Sequence, residues 1–307
     1  MKQEVQHYLD EIQRHKEETQ RFQPDNDRLK QESRQSDKEI KRLSDEIQCL
    51  KQKIERIKSS STASSENTRI PLTASAKTSG DCVLITTGSF NPIHRSHLQN
   101  LLRVKQYLEN ECQPPWNVLA GYLSPTHDSY VHSKLGDSAW IPADDRCQLC
   151  EGAIEHDELS SWVTVSRGEC KWPDGFVDFG PVTENLCDFL NGTLVDQEKL
   201  LKYPLRVIYV CGLDHFNKCS YLEDMVKQKN IGCVVVYRSG YDDNHIRRSS
   251  KSTGVIYIQL EKGRDKIMDI SSTQIRKYFQ KSTDCTSNID QLIYPNVHEY
   301  MIEKYKK

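Results

Sequence analysis

Cys82-Val83-Leu84-Ile85-Thr86-Thr87-Gly88-Ser89-Phe90-Asn91-Pro92-Ile93-His94-Arg95-Ser96-His97 is the stretch on which the fold turns. The run up to Gly88 is apolar and rich in β-branched residues, the pattern of a strand buried on both faces of a parallel sheet. Leu98, Leu101, Leu102, Tyr107 and Leu108 then recur at helical spacing, so a helix opens around His94 to His97. A strand, a glycine-bearing turn and a helix start together form a phosphate site, because free backbone N–H groups and the positive end of the helix dipole meet there. Gly88 allows a ligand to approach the backbone closely, and Ser89 and Phe90 line the same turn. His94 and His97, three positions apart, can both face that spot and donate hydrogen bonds to phosphate oxygens.

A second helix start of the same chemistry lies near the C-terminus. Asp269-Ile270-Ser271-Ser272-Thr273-Gln274-Ile275-Arg276 precedes the helical run KYFQ. Ser271, Ser272 and Thr273 can cap a helix and also donate to phosphate, while Arg276 offers a planar fork of donors one turn on. Between the two starts, the apolar run Arg206 to Cys211 ends in Gly212-Leu213-Asp214. In a doubly wound sheet, ligands lie at the carboxyl ends of strands, where such residues emerge.

These stretches resemble a known family. GSFNPIHRSH, at 88–97, is similar to the GSFNP-[H/T]xxH signature of the dinucleotide-forming adenylyltransferases of the HxGH nucleotidyltransferase superfamily, with Ser96 at the usual glycine. That departure, and ISSTQIR at 270–276 as the ISSTxxR motif, point to the eukaryotic-type nicotinamide/nicotinate mononucleotide adenylyltransferases. The resemblance implies that Gly212 and Asp214 contact nucleotide sugars and that Arg238, closing the strand GCVVVYR, lies near ATP. It also implies that a lysine in the loop Ser124-Pro125-Thr126-His127-Asp128-Ser129-Tyr130 reaches the mononucleotide phosphate. His132 matches that lysine by count, and Lys134 is the nearest lysine. An aromatic and a threonine that meet the nicotinamide fall among Trp172, Phe176 and Phe179 with Thr183; Phe179 and Thr183 are taken for the mononucleotide side. Ile141-Pro142-Ala143-Asp144-Asp145-Arg146 resembles the next helix start. The resemblance covers most of 81–307 and none of 1–80.

Composition divides the chain in the same way. All 14 glycines lie from Gly80 onward, and only Tyr8 and Phe22 among the aromatics precede it. Residues 1–58 hold 14 Lys/Arg and 13 Asp/Glu, and Ile40, Leu43, Ile47, Leu50, Ile54 and Ile57 are spaced as a heptad seam, so a coiled-coil arm is expected, broken near Pro24. Residues 59–80, with 11 Ser/Thr among 22 positions, read as a flexible linker. Residues 81–307 are long enough for one sizeable core. The arm predicts a homo-oligomer.

Other function classes fall away. With 42 Lys and Arg against 44 Asp and Glu the net charge is −2, which provides no field for nucleic acid. No apolar run approaches the ~18 residues of a membrane span, and the N-terminus has no apolar leader. Eleven cysteines, an odd and sparse set, fit a reducing compartment, cytoplasmic or nuclear. Cys147-Gln148-Leu149-Cys150 stands alone and reads as buried cysteines on one helix face, so no protein metal site is expected. Ile246 to Lys251 reads as a solvated loop.

Six strand-like runs interspersed with helical patterns predict an α/β fold, a Rossmann-like doubly wound and mainly parallel sheet. The activity implied by the resemblance is transfer of AMP from ATP to nicotinamide mononucleotide, giving NAD and pyrophosphate, with nicotinate mononucleotide also accepted. His94, His97 and Arg276 then stabilise charge on the phosphates while Mg²⁺, brought with ATP, bridges the leaving pyrophosphate. Two alternatives remain open at the level of sequence. One keeps the fold with another phosphate acceptor, of flavin or pantetheine type; the other is a coiled-coil scaffold or chaperone with a vestigial nucleotide domain.

Overall fold

A computed structural model describes residues 80–201, 203–238, 254–261, 270–280 and 292–306. The expected arm (1–58), the linker up to residue 79, the loop at 246–251, Asp269 and the side chain of Arg238 lie outside the described residues.

In chain order the elements are β1 (Gly80–Gly88), α1 (Arg95–Asn110), β2 (Trp116–Pro125), α2 (Asp128–Leu135), α3 (Ala143–His156), β3 (Val163–Val165) and α4 (Phe179–Asn191). A short π-helical turn (Gly192–Gln197) follows, then β4 (Arg206–Gly212), α5 (Leu213–Lys218), α6 (Tyr221–Met225), β5 (Ile231–Arg238), β6 (Val255–Leu260), α7 (Ser272–Gln280) and α8 (Pro295–Tyr305). Each of the six apolar runs read from the sequence is a strand. They form one sheet in the order β3-β2-β1-β4-β5-β6, and every adjacent pair is parallel. The sheet is therefore wholly rather than mainly parallel, within the doubly wound pattern.

Strand alternation assigns the core. Cys82 and Leu84 of β1, Ile208 and Val210 of β4, and Val234 and Val236 of β5 pack into one cluster with Leu98, Leu101, Val104 and Leu108 of α1, Cys147 and Cys150 of α3, and Val297 and Met301 of α8. Their neighbours Val83, Ile85, Val207, Tyr209, Cys233 and Val235 are equally buried outside that cluster, and α4, α5 and α6 pack against β4 and β5. Both faces being covered, these strands carry unbroken apolar runs instead of alternating ones. The cysteines at 147 and 150 are buried thiols on one face of α3, as their spacing predicts.

The strand order reverses between β1 and β4. Successive connections leave in opposite directions there, and the carboxyl ends of the two strands open a crevice. Gly88 and Gly212 stand at that edge.

Candidate active site

The first motif wraps the end of β1. Phe90 takes a left-handed backbone (φ 40°), unusual for a residue with a side chain. Its ring meets His97 edge-on, with centroids 4.9 Å apart. The nearest atoms to a Cβ on Gly88 would be those of the Phe90 ring, from 3.5 Å. His94 is the N-cap of α1 and is 6% exposed, and its ring stacks on His97 at 3.7 Å. The Nδ1 of His97 accepts a hydrogen bond from the His94 backbone N–H at 3.1 Å. A neutral imidazole that accepts at Nδ1 carries its proton on Nε2. Burial pushes the His97 imidazole down to about 4, so near neutral pH it is an uncharged hydrogen-bond donor and not a cation.

The second motif docks on the first. Ser272 Oγ donates to Pro92 O at 2.8 Å across 180 positions of sequence. Arg276 Nη1 donates to Asn91 O at 2.6 Å, and its Nη2 donates to Thr273 Oγ1 at 3.1 Å. Ser271 caps α7: its Oγ accepts from Gln274 N at 3.3 Å, while Gln274 Oε1 reaches back to accept from Ser271 N at 2.7 Å. This reciprocal pairing satisfies two backbone donors at the helix start. Partial burial lowers the Arg276 guanidinium, yet it stays charged at any working pH.

The remaining predicted residues divide between crevice and interior. Gly212, the N-cap of α5, is exposed, and a Cβ there would meet nothing within 4 Å. Asp214 is exposed on the first turn of α5. Arg238 is the last residue of β5, in register with Leu260. Lys134 is exposed in the last turn of α2, its Nζ 5.5 Å from the centroid of the Tyr130 ring. Phe179 and Thr183 instead face inward. Phe179 stacks on Tyr209 with centroids 5.1 Å apart, and the buried Thr183 Oγ1 donates to Phe179 O at 2.7 Å. Among the competing aromatics it is Phe176, 44% exposed, that presents a ring outward, stacked on Tyr130 at 4.6 Å.

Three residues to which the motif reading gave no role of their own hold this assembly together. The Asn91 side chain donates to Ala139 O at 2.8 Å and accepts from Ile141 N at 2.7 Å, which leaves its carbonyl for Arg276. Arg146, whose side chain is fully buried, donates to Ile141 O, Ser89 O, Thr126 O and Asp128 Oδ1 at 2.7–2.9 Å. Beyond the resemblance at 141–146, its sequence signal is phase: it shares the buried face of α3 with Leu149, Cys150 and Ala153. Glu169, 3% exposed, accepts from Ser124 Oγ at 2.7 Å, and no local pattern announces it.

The crevice thus presents backbone N–H groups, hydroxyls, two imidazoles and a guanidinium, a donor set that suits phosphate oxygens. Among the described residues, no three or more His, Cys, Asp and Glu side chains gather as a metal site. Among the same residues, no helix is long and apolar enough to cross a membrane.

The family model described as Cytidylyltransferase-like matches residues 85–278. A nicotinamide/nicotinic acid mononucleotide adenylyltransferase from Oryza sativa subsp. japonica is 31% identical over 239 residues, covering 73% of this chain and 85% of the relative. Nicotinamide/nicotinic acid mononucleotide adenylyltransferase 2 from Xenopus tropicalis is 33% identical over 88 residues, 29% of this chain and 25% of that relative. A solved bifunctional NMN adenylyltransferase/ADP ribose pyrophosphatase from Francisella tularensis aligns with 73% of this chain and 51% of its own, at 12% identity and a TM-score of 0.33. A family model matched over residues 85–278 and a relative matched over most of both lengths, with two helix starts locked together at the switch point of a parallel sheet, place the chain in the cytidylyltransferase-like family, among the nicotinamide/nicotinic acid mononucleotide adenylyltransferases.

Proposed function

We infer that this chain transfers AMP from ATP to nicotinamide mononucleotide, forming NAD and pyrophosphate, and that it accepts nicotinate mononucleotide as well. The observation that carries the reading is the direct bonding of the two motifs, Ser272 to Pro92 and Arg276 to Asn91, which brings two helix starts to one spot.

The substrate supplies its own nucleophile. A phosphate oxygen of the mononucleotide forms a bond to the α-phosphorus of ATP as the bond from that phosphorus to the pyrophosphate oxygen breaks. The protein therefore works by positioning and by neutralising charge, with no covalent intermediate. His97 Nε2–H, held by its Nδ1 bond, donates to the triphosphate. His94 stacks beside it, and Arg276 adds a fixed positive charge. Gly88, Ser89, Phe90, Ser271, Ser272, Thr273 and Arg238 border the ATP side, the first three through the turn after β1. Lys134, Phe179, Thr183, Gly212 and Asp214 belong to the acceptor side, with Phe179 and Thr183 supporting it from beneath. Magnesium would come bound to the triphosphate and would there offset charge on the leaving group.

The heptad seam at 40–57 supports a homo-oligomeric arm on a catalytic domain at 81–307. The sparse, odd cysteine set supports a cytoplasmic or nuclear setting. Full-length protein incubated with ATP, Mg²⁺ and nicotinamide mononucleotide should form NAD and pyrophosphate in equal amounts, read by a coupled dehydrogenase. Nicotinate mononucleotide should give its own dinucleotide. ATP binding without product from either acceptor would overturn the reading.

A further inference from the structure

Glu169 follows β3 in the segment Ser166-Arg167-Gly168-Glu169-Cys170, whose start is pinned to the sheet by Ser166 N donating to Leu123 O at 2.7 Å. Its carboxylate accepts from Ser124 Oγ at 2.7 Å, and the Thr126 hydroxyl favours its charged form. Those residues end β2 and begin the loop to α2. The same loop is tied by its backbone to the first motif, since Thr126 N donates to Gly88 O at 2.9 Å. Arg146 then links Thr126 O to Ser89 O. One buried carboxylate therefore holds the end of β2, the root of the loop that joins the acceptor side of the crevice to the phosphate turn.

We propose that Glu169 is a positioning residue for the mononucleotide acceptor, and that it holds the Ser124–Thr126 edge of the crevice in its ionised form. This role rests on the reaction proposed above. With the carboxyl ionised, both oxygens accept only, and the Ser124 hydroxyl is held as a donor. With it protonated, one oxygen becomes a donor, and where that oxygen faces Ser124 the hydroxyl must turn. The groups that face Glu169 are Arg146 from α3, which attracts the charge, Asp178 ahead of α4, which repels it, and Tyr209 on β4. Arg146 spends the hydrogen bonds it makes on Ser89, Thr126, Ile141 and Asp128. Burial prevails and raises the carboxyl to about 7. An unpaired buried charge costs stability, and an amide of the same shape would spare the fold that cost. Placed beside a crevice, such a group points to work on a ligand.

The sign follows from the raised value. Stability is greatest below the ordinary value of 4.5 and is lost as pH rises through about 7. The grip on the loop, by contrast, strengthens over the same rise. In full-length protein, kcat/KM for nicotinamide mononucleotide should climb up to about tenfold between roughly pH 6 and 8. Glu169→Gln should flatten that climb and raise KM for the mononucleotide severalfold, leaving KM for ATP within about twofold. Its melting temperature should equal or exceed that of the wild type at the alkaline end. Ser124→Ala removes a bond that favours the ionised form, so it should move the climb to higher pH. The proposal is overturned by a Glu169→Gln enzyme that keeps the wild-type climb, that shifts both KM values alike, or that melts lower at every pH. A Ser124→Ala profile that does not move has the same force, and stands in if the glutamine variant fails to fold. If the wild type forms no NAD, the proposed reaction fails. Glu169 is then judged by the melting shift that nicotinamide mononucleotide alone produces in wild type and Glu169→Gln: an equal shift at both pH extremes, or none in the wild type, rejects its role.

Discussion

The two halves of the crevice are built on different principles. On the phosphate half, chemistry and sequence run together: Gly88 to His97 and Ser271 to Arg276 are contiguous segments, each a turn leading into a helix, and they bond directly to each other. The acceptor half is assembled from separate places. The end of β2 is bonded by Glu169 from beyond β3 and the loop after it by Arg146 from α3, and the exposed aromatic surface of this half pairs Tyr130 with Phe176. A triphosphate asks for converging N–H groups, which one helix start supplies. A ring and a sugar phosphate ask for a wall, and a wall needs distant segments held in register.

Arg146 touches both halves, bonding Ser89 on one side and Thr126 and Asp128 on the other, so its loss gives the largest effect expected. Arg146→Met leaves three backbone carbonyls and a carboxylate short of a donor, and should cost about 3–5 kcal/mol in a denaturant titration. It should also raise KM for ATP and for the mononucleotide together. A rise for the mononucleotide alone would show that the halves are mechanically independent. Next in size is His97→Ala, which should lower turnover by ~10²–10³. Its stability should fall by only ~1 kcal/mol, the worth of the lost cap bond to His94 N. Turnover within tenfold of wild type would remove His97 from the phosphate half.

The same imidazole makes a prediction about pH. His97 titrates at about 4 in the fold against 6.5 in the open chain. Because the folded value is depressed, the associated stability is complete above 6.5 and drains away as pH falls toward 4, by about 3 kcal/mol in all. His97→Gln should remove that part of the acid loss. Parallel melting curves of variant and wild type across this range would mean that the ring is not as buried as its packing against Phe90 and His94 indicates.

The contrast between the halves also explains what could be read from sequence. The six strands were legible because a parallel sheet covered on both faces requires unbroken apolar runs, and CVLITT and GCVVVY are just such runs. The phosphate half was legible for the local reason given above. Asn91 sat inside the motif, yet its part as a keystone depends on Ala139 and Ile141, some fifty positions away. Arg146 closed a segment that resembled a helix start and shared the buried phase of α3, without a role of its own, and Glu169 left no signal, since its partner Ser124 is brought near by the pairing of β2 with β3. Phe179 and Thr183 show the converse. Their residue types suit a ligand wall, but helix α4 turns both inward, where the Thr183 hydroxyl closes on Phe179 O within the helix.

Phe176 is the finest test of the acceptor half, and the smallest in effect. Its ring is exposed and lies at 21° to Tyr130, so removing it takes no core packing away, and Phe176→Ala should melt at most a few degrees below the wild type. A stacked aromatic pair is worth about 0.5–1.5 kcal/mol beyond its buried area. If the pair forms the wall against which the acceptor rests, KM for nicotinamide mononucleotide should rise about two- to tenfold while KM for ATP stays put. Phe179→Leu must behave differently: Phe179 packs on Tyr209 and His215, so that change should appear first as lost stability, and in KM only through the wall above it. The two variants therefore separate a surface that meets the ligand from the layer that carries it. A Phe176→Ala enzyme with unchanged kinetics, beside a Phe179→Leu enzyme whose KM for the mononucleotide rises more than its melting temperature falls, would reverse the assignment. It would mean that Phe179 turns out of the core when the acceptor binds.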